Sequence, residues 1–292
     1  ALGLQPGFGD ERLWVGHLKA FADGTMGSRT AWMLDPFENE PHNRGIAVTP
    51  AQELAEIAMR AAHAGFPLSV HAIGDRAVRE VIDVLAEWPA PAPAAGQATP
   101  PHRIEHVQLI HPDDLPRLAQ HNIFAAMQPV HLQTDWPTAD KVWGARARYA
   151  YAFRSLLNHG AQLAFGSDAP VAPLNPWLGV YAAVTRQDNA GGPSGGWYAP
   201  EKLSVAEAIH GYTLGPARLA GKAHRQGSIT PGKWADLIVL DQDLFSVDPE
   251  ALAETAVVLT IMGGEVVYEQ IERQQRIGER SGFSQTTIRS FR

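Results

Sequence analysis

The sequence predicts an α/β fold built on a parallel β-sheet. Three observations carry that expectation. Short apolar runs are each followed by a stretch of helical periodicity, the alternation that marks βαβα connections. The residues closing those runs are unusually polar (Lys19, His71, His106, Gln128 and Asp168), although strands of a parallel sheet are normally buried. After Gly221 the texture changes to short strands and a hairpin, the pattern of a small β appendage. With 292 residues, 45% apolar and 19% charged, the chain has material for one large core or two modest ones.

The first expected strand is Val15 to Ala22. A helix follows with Thr49 as N-cap, Pro50 at its first position, Gln52 completing a capping box and Gly65 past its end, presenting Leu54, Ile57, Ala58 and Ala61. Strand Leu68 to Ala72 leads into a helix from about Asp75, where Val78, Val81, Ile82 and Leu85 recur at helical spacing until Pro89. Residues 89–101 hold five prolines and no charge, an extended surface loop rather than a domain boundary. The pattern resumes with strand Arg103 to Val107, a helix begun by Pro112-Asp113-Asp114, and strand Ile123 to Gln128. A helix near Ala145 to His159, stopped by Gly160, and strand Gln162 to Gly166 complete five strand-then-helix units. Ser204-Val205-Ala206-Glu207 is a capping box opening a helix to about Gly211. Ser228-Ile229, Ala235 to Leu240, Val257 to Met262 and Glu265 to Tyr268 are expected strands, with Gly263-Gly264 as a primed turn. The expected division is residues 1–221 for the main domain, 222–270 for the appendage and 271–292 for a surface segment or tail.

Composition excludes several function classes. There is no cysteine, so disulfides, thiolate metal sites and cysteine nucleophiles are absent, and any metal is held by nitrogen and oxygen. The net charge of -7, without a dense basic stripe, argues against nucleic acid. No apolar run approaches the roughly 20 residues of a membrane span, and the first ten residues lack a signal-peptide pattern, so a soluble, cytoplasmic protein is expected. No G-x-G-x-x-G or P-loop follows a strand, which removes the nucleotide-binding reading.

In parallel α/β folds ligands sit at the carboxyl ends of the strands. Two imidazoles, a carboxylate and a lysine there suit a divalent metal with open positions, as a hydrolytic site requires. Alone, a strand-end histidine is more often structural; His71, His106 and Asp168 together shift the balance. Glu105 alternates with His106 and is expected to face away from the interior, paired with Arg103. Asp75 is a candidate N-cap. Trp32, Trp136, Trp143, Trp177 and Trp197 either wall an apolar pocket or pack the core.

The segments Leu18 to Thr30, His71-Ala72-Ile73-Gly74-Asp75-Arg76-Ala77-Val78, Arg103-Ile104-Glu105-His106, Gly166-Ser167-Asp168-Ala169-Pro170-Val171 and Pro231-Gly232-Lys233-Trp234-Ala235-Asp236-Leu237, in this order, resemble the YtcJ-like branch of the amidohydrolase superfamily. The resemblance runs from about Leu13 to Tyr268. It implies a (β/α)8 TIM barrel of metal-dependent hydrolase type with a small β-sandwich, hydrolysing a C–N bond of an amide-like small molecule through a metal-activated water. Carried over by position, His71 and His106 are metal ligands on the fifth and sixth strands. Asp168 ends the eighth strand as metal ligand and catalytic acid–base group. Lys19 ends the fourth, either carbamylated and bridging two metals or ion-paired with Asp23 or Glu105. The cofactor expected is zinc or a similar divalent ion, one or two per site. Ser28, Arg29, Gln128 and His131 are either substrate contacts or loop-stabilising groups. The superfamily's first-strand His-x-His pair is absent, and five βα units stand where a closed barrel has eight. The chain is therefore expected to supply about strands four to eight and to need an amino-terminal segment, another chain or a further copy of itself. The alternative is a catalytically silent remnant acting through protein contacts.

Overall fold

In the computed structural model, which describes residues 5–91 and 100–270, five short strands pair in chain order as one parallel sheet. They are β1 (Leu18–Phe21), β2 (Leu68–Ala72), β3 (Arg103–His106), β4 (Phe124–Met127) and β5 (Leu163–Phe165). Lys19 lies opposite Ser69 and Ser69 opposite Arg103, while His71 lies opposite Glu105 and Glu105 opposite Ala126. Because side chains alternate along a strand, this register sorts the sheet into two faces. Ala20, Leu68, Val70, Ala72, Ile104, Ala125, Met127, Leu163 and Phe165 join the main core beneath the helices. The opposite face carries Lys19, Ser69, His71, Arg103 and Glu105, and a separate apolar cluster of Phe124, Ala126, Ala164 and Leu219.

The helices are α1 (Ala51–His63), α2 (Asp75–Glu87), α3 (Arg117–Gln120), α4 (Leu132–Trp143), α5 (Phe153–Asn158), α6 (Pro176–Thr185), α7 (Val205–Tyr212) and α8 (Leu214–Leu219). In α2 the expected face of Val78, Val81, Ile82 and Leu85 is buried. The start of α1 differs from expectation: Pro50 is itself the N-cap and no side chain caps the helix. Gly74, not Asp75, is the N-cap of α2. The expected helix from Ala145 to His159 is broken into a 3-10 turn, Gly144–Tyr149, and α5. The buried Arg186 guanidinium takes the carbonyls of Ala150 and Tyr151, which a continuous helix would use internally. Three helices, α4, α6 and α8, were not expected. Pro137 masks α4, and α6, capped by Asn175, is so uniformly apolar that it shows no period. Trp143, Trp177 and Trp197 pack the core rather than walling a pocket.

A second sheet is antiparallel, β6 (Leu237–Leu240), β7 (Val257–Met262) and β8 (Glu265–Glu269), in that order. Gly263 and Gly264, both at positive φ, make the expected tight turn. Ser228-Ile229 is not a strand; Lys233 Nζ donates to Ser228 Oγ and Gln226 O, closing a loop in which Ile229 is exposed. Between β6 and β7 the chain returns to the main core, where Leu244 and Leu252 are buried. The proline-rich stretch 92–99 and the expected tail 271–292 lie outside the described residues. No helix among the described residues is long and apolar enough to cross a membrane.

Candidate active site

The polar face of the parallel sheet lines a cleft of about 340 Å³ whose walls include Lys19, Ser69, Arg103, Glu105, His106, Gln128 and Asp168. Glu105 points into this cleft, against the expectation that it faces away. It is in register with His71, accepts a 2.6 Å hydrogen bond from Ser69 Oγ and pairs with Arg103 Nε at 2.6 Å, so only the Arg103 partnership matches the sequence reading. By strict alternation His106 would belong to the opposite face. Positive φ at His106 (75°) and Val107 (42°) breaks the alternation. The His106 ring thereby comes edge-on to His71, with centroids 4.7 Å apart.

Each imidazole is anchored through one nitrogen. His71, 8% exposed, donates from Nε2 to the Gly24 carbonyl at 2.8 Å, which leaves Nδ1. His106 donates from Nδ1 to Gln128 Oε1 at 2.8 Å, which leaves Nε2. Burial lowers the pKa of both, that of His106 to about 3 with help from the neighbouring His71, so both rings are neutral at pH 7. A neutral ring held by one nitrogen with the other unprotonated is the state in which histidine ligates a metal. The pair therefore fits a divalent ion. Among the described residues no group of three or more histidine, aspartate or glutamate side chains is gathered for a metal.

Of the other sequence candidates, Gln128 and His131 contact His106, while the rest lie around the pair. Asp168, at positive φ, is exposed at the rim of the cleft. The pKa of Lys19 is lowered by burial, against which Glu105 and then Asp168 pull it upward. Asp23 is instead buried and accepts hydrogen bonds from the backbone of Trp32, Ile73 and Gly74. Its carboxylate also lies 3.4 Å from His71 Nε2, and burial raises its pKa to about 7. Sequence reasoning missed this clamp; an Asp-Gly pair directly after a strand was its only signal. Ser28 bonds the hydroxyls of Thr25 and Thr30, and Arg29 pairs with Glu40, so both hold the loop after β1. Gln128 is buried against His106. His131 stacks 6.2 Å from His106, and its Nε2 is buried with no hydrogen-bond partner among the described residues.

The Amidohydrolase family profile matches residues 1–268. The chain is 36% identical over 267 residues to Protein LONG AFTER FAR-RED 3 of Arabidopsis thaliana, covering 88% of this chain and 44% of that protein. To the putative amidohydrolase YtcJ of Bacillus subtilis (strain 168) it is 34% identical over 258 residues, covering 87% and 47%. The structure superposes, with a TM-score of 0.73 and 32% identity, on an uncharacterized metal-dependent hydrolase from Pyrococcus horikoshii OT3, covering 85% of this chain and 48% of that one. The chain thus spans about half the length of the relatives it matches, and its five parallel strands are those of a TIM-barrel hydrolase. A family profile over nearly the whole chain, two relatives above 30% identity and the shared fold lead to one conclusion: the chain belongs to the amidohydrolase family.

Proposed function

We propose that this chain forms the His71–His106 side of a hydrolytic centre that cleaves a C–N bond of an amide-like small molecule with zinc or a similar divalent ion. The observation that supports the reading is the neutral imidazole pair, rings 4.7 Å apart, each with one nitrogen anchored and one left for coordination. A divalent ion held there supplies Lewis acidity, polarising the substrate carbonyl and easing deprotonation of water. Asp168, at the rim, takes a proton from the attacking water and returns it to the leaving nitrogen. Lys19, whose pKa burial lowers, offers a larger fraction of free amine for carbamylation. His131 Nε2, buried without a partner among the described residues, is the proposed hydrogen-bonding contact for a polar group of the substrate.

The test is zinc uptake by the wild-type chain and by His71→Ala with His106→Ala, followed by elemental analysis and chelator competition. Loss of the bound zinc in the double variant is expected. Tight zinc that survives both substitutions would overturn the assignment.

A further inference from the structure

Gln128 was a candidate substrate contact in the sequence, but its surroundings give it another task. The side chain is 7% exposed and spends both ends of its amide internally. Nε2 donates to the Ala126 carbonyl at 3.3 Å, and Oε1 lies 2.8 Å from His106 Nδ1. A carbonyl oxygen accepts hydrogen bonds and cannot donate them. With the amide nitrogen turned toward Ala126, the group facing His106 is the acceptor, and Nδ1 must carry the ring proton.

The geometry points to Gln128 as a positioning residue, which fixes His106 in the Nδ1–H tautomer and presents an unprotonated Nε2 to the cleft. The need for such a device follows from the backbone. His106 is turned out of the regular strand alternation by positive φ at two successive residues, so the pleat of β3 does not orient its ring. Gln128 follows β4, the strand paired with β3, and reaches across the strand ends to hold the ring. Elsewhere the ring meets His71 edge-on and stacks on His131, and among the described residues Gln128 is the hydrogen-bond partner of the ring. Gln128 is therefore the group that selects the tautomer.

The experiment uses the full 292-residue chain with ¹⁵N-labelled histidine, the His106 signals being assigned against His106→Gln. In the wild type, Nδ1 is expected in the protonated range and Nε2 in the unprotonated range. A wild-type His106 protonated on Nε2 would overturn the proposal without any Gln128 variant having to fold. Gln128→Met removes the acceptor at similar volume and is expected to shift the ring toward the Nε2–H form. Gln128→Glu keeps an acceptor and is expected to restore the wild-type pattern, which a purely packing role would not require. An unchanged pattern in Gln128→Met would also overturn it.

A second arm rests on the metal-centre reading: zinc titration should show Gln128→Met weakened by about 10- to 100-fold, with Gln128→Glu close to wild type. Zinc binding equal in wild type and Gln128→Met would count against Gln128. A wild-type chain that takes up no zinc but shows the expected tautomer would leave Gln128's role standing and remove the metal reading alone.

Discussion

Glu105 and His106, neighbours on β3, both line the cleft, although simple alternation would put them on opposite faces. The carboxylate enters the cleft in register with His71, while positive φ turns the following imidazole round to the same side. Around this pair a few contacts determine whether the loops close correctly. Gly74 is one: a Cβ there would stand 2.1 Å from the Trp32 carbonyl, and the neighbouring amides are those that bond Asp23. Gly74→Ala is expected to destabilise the chain by about 1–3 kcal/mol, read as a lowered melting temperature. Asp168 carries the opposite prediction. It is exposed and its side chain makes no ion pair among the described residues, so Asp168→Asn should leave the melting temperature nearly unchanged. In a complete, metal-loaded enzyme the same change should lower kcat by about 10² to 10⁴, because an amide cannot relay a proton. Near-normal kcat in that variant would remove Asp168 from the chemistry.

Helix α7 is closed at its start by a reciprocal box in which Ser204 Oγ accepts from Glu207 N and Glu207 accepts from Ser204 N. Ser204→Ala is expected to cost about 1 kcal/mol, measurable by denaturant unfolding. The Glu207 carboxylate also accepts from both terminal nitrogens of Arg154, and these bonds lead the causes that hold its pKa down at about 2, from an ordinary 4.5. A carboxylate depressed in the folded state stabilises it fully above the unfolded value and loses that contribution as pH falls through the folded value. The melting-temperature gap between wild type and Glu207→Gln should therefore be constant above about pH 5 and shrink steadily as pH drops to about 2. A gap that stayed constant over this acid range would count against the ion pair. In α2, where Ile82 is fully buried, Ile82→Ala should cost about 2–5 kcal/mol. Both α2 and α7 were legible in the sequence, the first by its period and the second by its cap. Helices α4 and α6 were not, since a proline interrupts one and the other is apolar all round.

The five-stranded sheet has open edges at β1 and β5, and Leu18 and Phe21 on β1 are 41% and 49% exposed. The three-stranded sheet is also thinly covered: Ile238, Met262, Val266 and Val267 are each at least half exposed. Unpaired backbone beside exposed apolar side chains favours association with more chain. The isolated chain is expected to self-associate, visible in light scattering as species larger than a monomer. A monodisperse monomer over a wide concentration range would count against this. The expectation for zinc follows from the ligand count. Two imidazoles are fewer than the three protein ligands usual in a catalytic zinc site, so substoichiometric, chelator-sensitive zinc is expected. Stoichiometric, chelator-resistant zinc would show that the described residues suffice.

Much of this protein could be read along the chain because it is encoded locally. Apolar period, capping residues and Gly-Gly punctuation mark the five parallel strands, α2, α7 and the hairpin, and the order of motifs identifies the family. The positions of His71 and His106 near the carboxyl ends of β2 and β3 could likewise be read from the chain. The parts that escaped depend on groups far apart in sequence. Arg186 interrupts a helix about 35 residues earlier by taking its carbonyls, and Gln128 holds a histidine 22 positions away. Asp23 clamps amides about 50 residues onward. Alternation specifies which neighbours share a face only while the backbone stays extended. Whether φ turns positive at His106, and which nitrogen then carries the proton, is settled by the packed and hydrogen-bonded surroundings of the folded chain.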